Sequence, residues 1–182
     1  MRLLNIAARN SLFSFALLAL TSGVTAAQSQ PTASLDLGIV IDVVAPGGQL
    51  AVPLTLTTSE DPKIGKAAAR IGYPGSQLTF VDATRGPAIE PLSPKVRAEV
   101  KDLEGGGKVV EVEISTAAPM PQGLLVSLNF QVAADIKPET EIQLRNLGQI
   151  IETTDGKKVQ AYGIDGSIKI LEPAAPCFFY MH

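Results

Sequence analysis

The chain has 182 residues, 46% of them hydrophobic and 18% charged, with a formal net charge of −3. That balance excludes a disordered or fibrous chain, and a single Cys excludes an internal disulfide framework. One Cys, one His and no Trp leave little of the usual equipment for metal binding or acid–base catalysis, so a noncatalytic globular module is the first expectation.

The N-terminus biases those totals. Arg2 and Arg9 accompany a basic start, an apolar stretch runs from Leu12 to Leu20, and small residues close it at Thr25-Ala26-Ala27. This is the pattern of a secretory signal peptide over residues 1–27, cleaved near Ala27. The apolar run is shorter than the roughly 20 residues of a membrane span, and no Cys lies near the cleavage point to take a lipid. A secreted protein, extracellular or periplasmic and without a membrane span, is the expectation. Removing Arg2 and Arg9 leaves a more acidic chain whose charges are mixed along its length. Nucleic acid, which would need clustered Lys and Arg, is excluded as a partner.

Residues 28–34 read as a short linker and 35–172 as one domain. Within it, short runs of period two recur between Gly and Pro turn signals, the pattern of strands whose successive side chains point to opposite faces. In chain order, strands are expected at 37–44, 49–58, 65–73, 77–84, 94–101, 108–116, 124–133, 140–147, 157–162 and 167–171. Nine to ten short strands in one domain imply an all-β fold, an antiparallel β-sandwich with jelly-roll topology. Tyr73-Pro74-Gly75 suits a type II turn, with Pro at the first corner and Gly at the second. Asp155-Gly156 reads as a hairpin turn; a calcium loop would need a ladder of oxygen ligands that is missing there. Residues 173–182 form a tail with an apolar end, Cys177-Phe178-Phe179-Tyr180.

Alternation also assigns faces. Val110, Val112 and Ile114 point inward, with Glu111 and Glu113 outward. Val96, Ala98 and Val100 are inward partners of Arg97, Glu99 and Lys101, as are Ile142 and Leu144 of Gln143 and Arg145. Ala67, Ala69, Ile71 and Tyr73 point inward, leaving Lys66, Ala68, Arg70 and Gly72 outside. Charged residues at alternate strand positions commonly serve only as a solvated face, and they blunt edge pairing.

Four stretches carry a resemblance. They are 45–56 with its Val52-Pro53-Leu54, 69–86 with Tyr73-Pro74-Gly75 and Leu78-Thr79-Phe80, 123–132, and Asp165-Gly166-Ser167-Ile168-Lys169-Ile170. In order and spacing, over about 35–171, the chain resembles the cohesin family of secreted sandwich domains. The family's Tyr-Asp-Pro is Tyr73-Pro74-Gly75 here, so the aspartate is lost. The resemblance implies noncatalytic binding of a protein partner, a calcium-loaded dockerin module, through one outer sheet face, with no cofactor and no metal held by the chain itself. That face should carry Lys66, Ala68, Arg70, Arg97, Glu99, Lys101, Glu111, Glu113 and Arg145. One cohesin type has Asn and Asp where Lys66 and Ala68 stand, a departure from the pattern for that dockerin class. Polysaccharide-degrading or cell-surface assemblies are the settings the resemblance implies.

An enzyme would need a nucleophile with a base, a carboxylate pair or a metal site. The only His is His182 at the chain end, and Glu111 and Glu113 stand side by side on one strand, whereas a glycosidase needs carboxylates facing each other across a cleft. No catalytic residue is assigned. Direct binding of polysaccharide, or a structural or adhesion role, remains open. A sugar platform, however, lays rings on exposed aromatic faces, and Tyr73, Phe80 and Phe130 all read as inward.

Overall fold

Alternation of apolar and polar side chains produces eleven strands among the residues that the computed structural model describes, 32–42, 47–59 and 61–171. They are β1 Thr32–Leu37, β2 Ile39–Asp42, β3 Gln49–Thr58, β4 Ile64–Pro74, β5 Leu78–Arg85, β6 Lys95–Asp102, β7 Gly107–Ser115, β8 Gly123–Val132, β9 Glu141–Thr153, β10 Lys158–Tyr162 and β11 Gly166–Ile170. Two single-turn 3-10 helices, Glu90–Leu92 and Glu104–Gly106, punctuate them. The expected signal peptide and the C-terminal tail lie outside the described residues.

One layer orders its strands β5-β8-β3-β1, and the other β6-β7-β4-β9. β10 joins them, pairing parallel with β1 and antiparallel with β9, while β11 pairs with β2 and with the start of β9. The inward side chains of the two layers meet in a core that includes Leu35, Val52, Leu54, Ile71, Val112, Leu128 and Phe130, each at most 2% exposed. Within it, beside the turn after β4, the Phe130 ring meets Tyr73 and Phe80 edge to face, at centroid distances of 5.2 and 5.6 Å. Such contacts add about 0.5–1.5 kcal/mol beyond the area buried. Burial pushes the Tyr73 phenol above its ordinary value.

The all-β sandwich expected from the sequence is what the chain forms, with differences in detail. β1 begins at Thr32, inside the expected linker and ahead of the expected first strand, because Ala33 and Leu35 are buried on its inner side. The strand expected at 37–44 breaks at Gly38, where a Cβ would lie 2.3 Å from the Pro53 ring; eleven strands result. The sheet is mixed, since β1 with β10 and β2 with β11 run parallel. Finally, β4 runs through Pro74, and the turn after it is closed by Gln77 N–H donating to the Pro74 carbonyl. Gly75 is not among the glycines of positive φ, so the expected type II turn is not formed. The 155–156 hairpin is present: Gly156 N–H donates to Thr153 O, and Thr153 N–H to Lys157 O, both at 2.9 Å.

Where β10 leaves β1 after Tyr162, the sheet edge of Leu35 would be open. Side chains from β9 close it. Leu35 N–H donates to Gln149 Oε1 at 3.0 Å, and Leu35 O accepts from Gln149 Nε2 at 2.7 Å and Asn146 Nδ2 at 3.0 Å. A Cβ on Gly163 would stand 1.8 Å from that Gln149 nitrogen and 2.1 Å from that of Asn146. Gly163→Ala should therefore displace both amides and strand the Leu35 groups, at about 1–3 kcal/mol for a buried group left unpaired. A urea titration should show the lower midpoint, and hydrogen exchange at the Leu35 amide should accelerate. Unchanged exchange at Leu35 would show that the amides do not depend on the glycine.

Candidate partner-binding face

The outer face of β9-β4-β7-β6 is a lattice of cross-strand rows set by register. Ile150, Ala68, Glu113 and Arg97 form one row, Gly148, Arg70, Glu111 and Glu99 the next, and Arg145, Gly72, Val109 and Lys101 a third. Lys66 lies on the other side, in a row with Glu152, Ser115 and Lys95. All nine residues expected at the face are thus outward on adjacent strands. Val100, expected inward, is 40% exposed, because β6 pairs only with β7 and ends its layer.

A groove of about 420 Å³ runs over the middle rows. Ala68, Arg70, Arg97, Glu99, Glu111 and Glu113 line it; Lys66 and Lys101 stand beside it and pair with its glutamates, and Arg145 lies one row beyond. Ala68, the smallest of these side chains, forms the floor. Glu111 is the hub of the charged side: Arg70 Nε donates to its Oε1 at 3.1 Å and Lys101 Nζ to its Oε2 at 2.5 Å. Lys66 Nζ lies 3.2 Å from Glu113, and Arg97 reaches Glu99 only at 3.7 Å. Glu99 is directly opposite Glu111, an unfavourable like-charge pairing that the cations around both relieve.

The opposite wall of the groove is apolar and was missed at the sequence level. Leu147 and Ile150 on β9 line it and are 43% and 53% exposed. Strand β9 continues to Thr153 instead of ending at 147. Register steps from Arg70↔Gly148 to Ile71↔Asn146, so Leu147 is the extra residue of a β-bulge, which re-aims a side chain. It lies over Gly72, 3.0 Å from where a Cβ would be. The run Gly148-Gln149-Ile150-Ile151 held a signal, since Ile151 inward and Ile150 outward resume the alternation. Asn146 and Gln149, turned inward to Leu35, hold the bulge from behind.

Among the described residues no group of three His, Cys, Asp or Glu is arranged to hold a metal ion, and no helix is long and apolar enough to cross a membrane. Of the aromatic rings among the described residues, Tyr73 and Phe130 are buried, Phe80 packs on the core, and only Tyr162 is largely exposed.

An all-β sandwich presenting an open groove with one charged and one apolar wall has the form of a surface-binding module. The cohesin domain model matches residues 38–170, and the chain belongs to the cohesin domain family. No curated protein matches it. Among solved structures, it is similar to the sixth cohesin of Acetivibrio cellulolyticus scaffoldin B, solved with a Cel5 dockerin mutant, at 17% identity and a TM-score of 0.61, covering 76% of this chain and 99% of that one. A non-cellulosomal cohesin from the archaeon Archaeoglobus fulgidus is 20% identical, with a TM-score of 0.59 over 78% of this chain and 92% of that one. The OlpA cohesin of Clostridium thermocellum, solved with dockerin Doc918, is 17% identical, with a TM-score of 0.60 over 77% and 99%. At these identities the likeness shows the fold.

The hydrogen bond from Lys101, seconded by Arg70, holds the Glu111 carboxyl below its ordinary value of 4.5. Because the folded state lowers this value, the contribution of the cluster is present at neutral pH and is lost as pH falls through the folded midpoint. A carbon-detected NMR titration should place the Glu111 midpoint below 4.5, and Lys101→Met should raise it. An unmoved midpoint in that variant would show that Lys101 is not the cause.

Proposed function

We propose that this chain is a secreted, noncatalytic cohesin module that binds a calcium-loaded dockerin-type partner through the outer face of β9-β4-β7-β6. Membership of the cohesin family over residues 38–170 is the observation that carries the assignment. The groove supports it: Ala68 leaves room at the centre, Leu147 and Ile150 offer apolar area, and the charged rows offer register and steering more than raw affinity. Residues Lys66, Ala68, Arg70, Arg97, Glu99, Lys101, Glu111, Glu113 and Arg145 are its contact set, and an extracellular polysaccharide-degrading or cell-surface assembly is its setting. The leader over residues 1–27 carries the export signal.

Immobilised chain should capture calcium-loaded dockerin modules and release them when the calcium is chelated, since the calcium belongs to the dockerin. Ala68→Arg, which fills the groove floor from an outward position, should weaken capture by about tenfold or more, equal to about 1.4 kcal/mol, without lowering the melting temperature. Calcium-independent binding to insoluble polysaccharide with no dockerin captured would overturn the proposal in favour of direct sugar recognition.

A further inference from the structure

On the basis that this face is the partner-binding surface, as proposed above, we infer that it selects an acidic partner: a segment whose apolar side chains seat on Leu147 and Ile150 and whose carboxylates meet Arg145 and Arg97.

The charge ledger of the face decides the sign. Each outward carboxylate of β6 and β7 is already held by a cation: Glu111 by Arg70 and Lys101, Glu113 by Lys66, and Glu99 by Arg97. At the groove the unspent hydrogen-bonding capacity is cationic, since the carboxylates left out of ion pairs, Glu141 and Glu152, lie at the two ends of β9. Arg145 is in none of the ion pairs among the described residues, and Arg97, its side chain 79% exposed, holds Glu99 only at 3.7 Å through one nitrogen. A guanidinium offers five N–H donors in a fork that matches a carboxylate. Outward cations outnumber outward carboxylates on these four strands, while the chain as a whole is negative at −3. An acidic segment would therefore gain at this face, and a basic one would meet repulsion, which is how partners are discriminated.

The apolar half of the inference rests on the bulge. Two large aliphatic side chains stand exposed on one wall of the groove within a charged surface, apolar area that a partner seated in the groove would cover. Leu147 is braced by Gly72 below it, and its neighbours Asn146 and Gln149 are tied to the Leu35 backbone. The ridge is thus ordered before a partner arrives, which lowers the entropic cost of binding.

Two kinds of probe test this. The first is a pair of calcium-loaded dockerin modules, one with acidic and one with basic contact helices; the second is a matched pair of amphipathic helical peptides, equal in length and apolar residues, with Glu or Lys on the flanks. Both acidic probes should bind at least about tenfold tighter than their basic counterparts at low salt, with the difference shrinking as salt screens the charges. Amide shifts should centre on Ala68, Leu147 and Ile150. Arg145→Glu with Arg97→Glu should erase or invert the preference, and Leu147→Ser with Ile150→Ser should weaken both members of each pair. Basic probes bound equally well or better, or a preference untouched by the arginine changes, would overturn the inference. Preference for the basic dockerin sinks the acidic partner and leaves the dockerin assignment standing. Capture of neither dockerin, with the acidic peptide still preferred, sinks the dockerin assignment and leaves the acidic partner standing.

Discussion

The edge-to-face cluster of Tyr73, Phe80 and Phe130 is the contact on which the two layers depend. Phe130 comes from near the end of β8, Tyr73 from the end of β4 and Phe80 from β5, so the cluster pins one layer to the other beside the Pro74 turn. Around it the interior is apolar, and no charged or polar residue is buried among the described ones. With a single Cys, lying outside the described residues, the chain has no internal cross-link and stability rests on this packing. That places the weight on the period-two alternation, because a one-residue slip in any strand would turn its apolar set to water.

A division of labour follows. The inward set holds the fold, whereas the outward set on β9-β4-β7-β6 is bound to the fold mainly through exposed ion pairs, each contributing little to stability. Side chains there can change without disturbing the core beneath them. Cohesins only 17–20% identical to this chain nevertheless share its fold at TM-scores near 0.6, as expected if burial is kept while outward positions diverge. The fold is therefore held by the inward set, and a choice of partner would fall to the outward residues.

Legibility in the sequence follows the same line. β3 spans Gln49–Thr58 as its alternation predicts, and the faces of β4 and β7 are assigned correctly through Ala67, Ala69, Ile71, Val110, Val112 and Ile114, all buried. What local periodicity misses is what depends on distant chain. The start of β1 carries Thr32, Ala33 and Ser34, small residues that become a strand only by pairing with β3 and β10. Parallel pairing leaves no local mark. Of the candidate face, the outward placement of the charged residues was legible because they alternate with apolar ones, but Ile150 was not, and Leu147 stood at an expected strand end. A glycine at 148 reads as a strand end, and the bulge shifts the period there, so Ile150 falls out of phase with the pattern before it.

The bulge itself has a cause that no short window contains. Asn146 and Gln149 are polar residues facing inward, which ordinarily argues against a strand. Here they substitute for a missing one, since their partner Leu35 lies more than a hundred positions away and has lost β10 as a neighbour. Bonding to that backbone requires both amides to reach the same residue from positions three apart, whereas a regular strand would send them to opposite faces. The extra residue between them resolves the conflict: Leu147 keeps the outward side it has by alternation with Asn146, Ile150 is brought to the same side, and both become part of the groove wall. The apolar half of the face is thus a by-product of how the two layers are sewn together at Leu35. Loss of the amide pair would remove the reason for the bulge, and with it the shared side of Leu147 and Ile150.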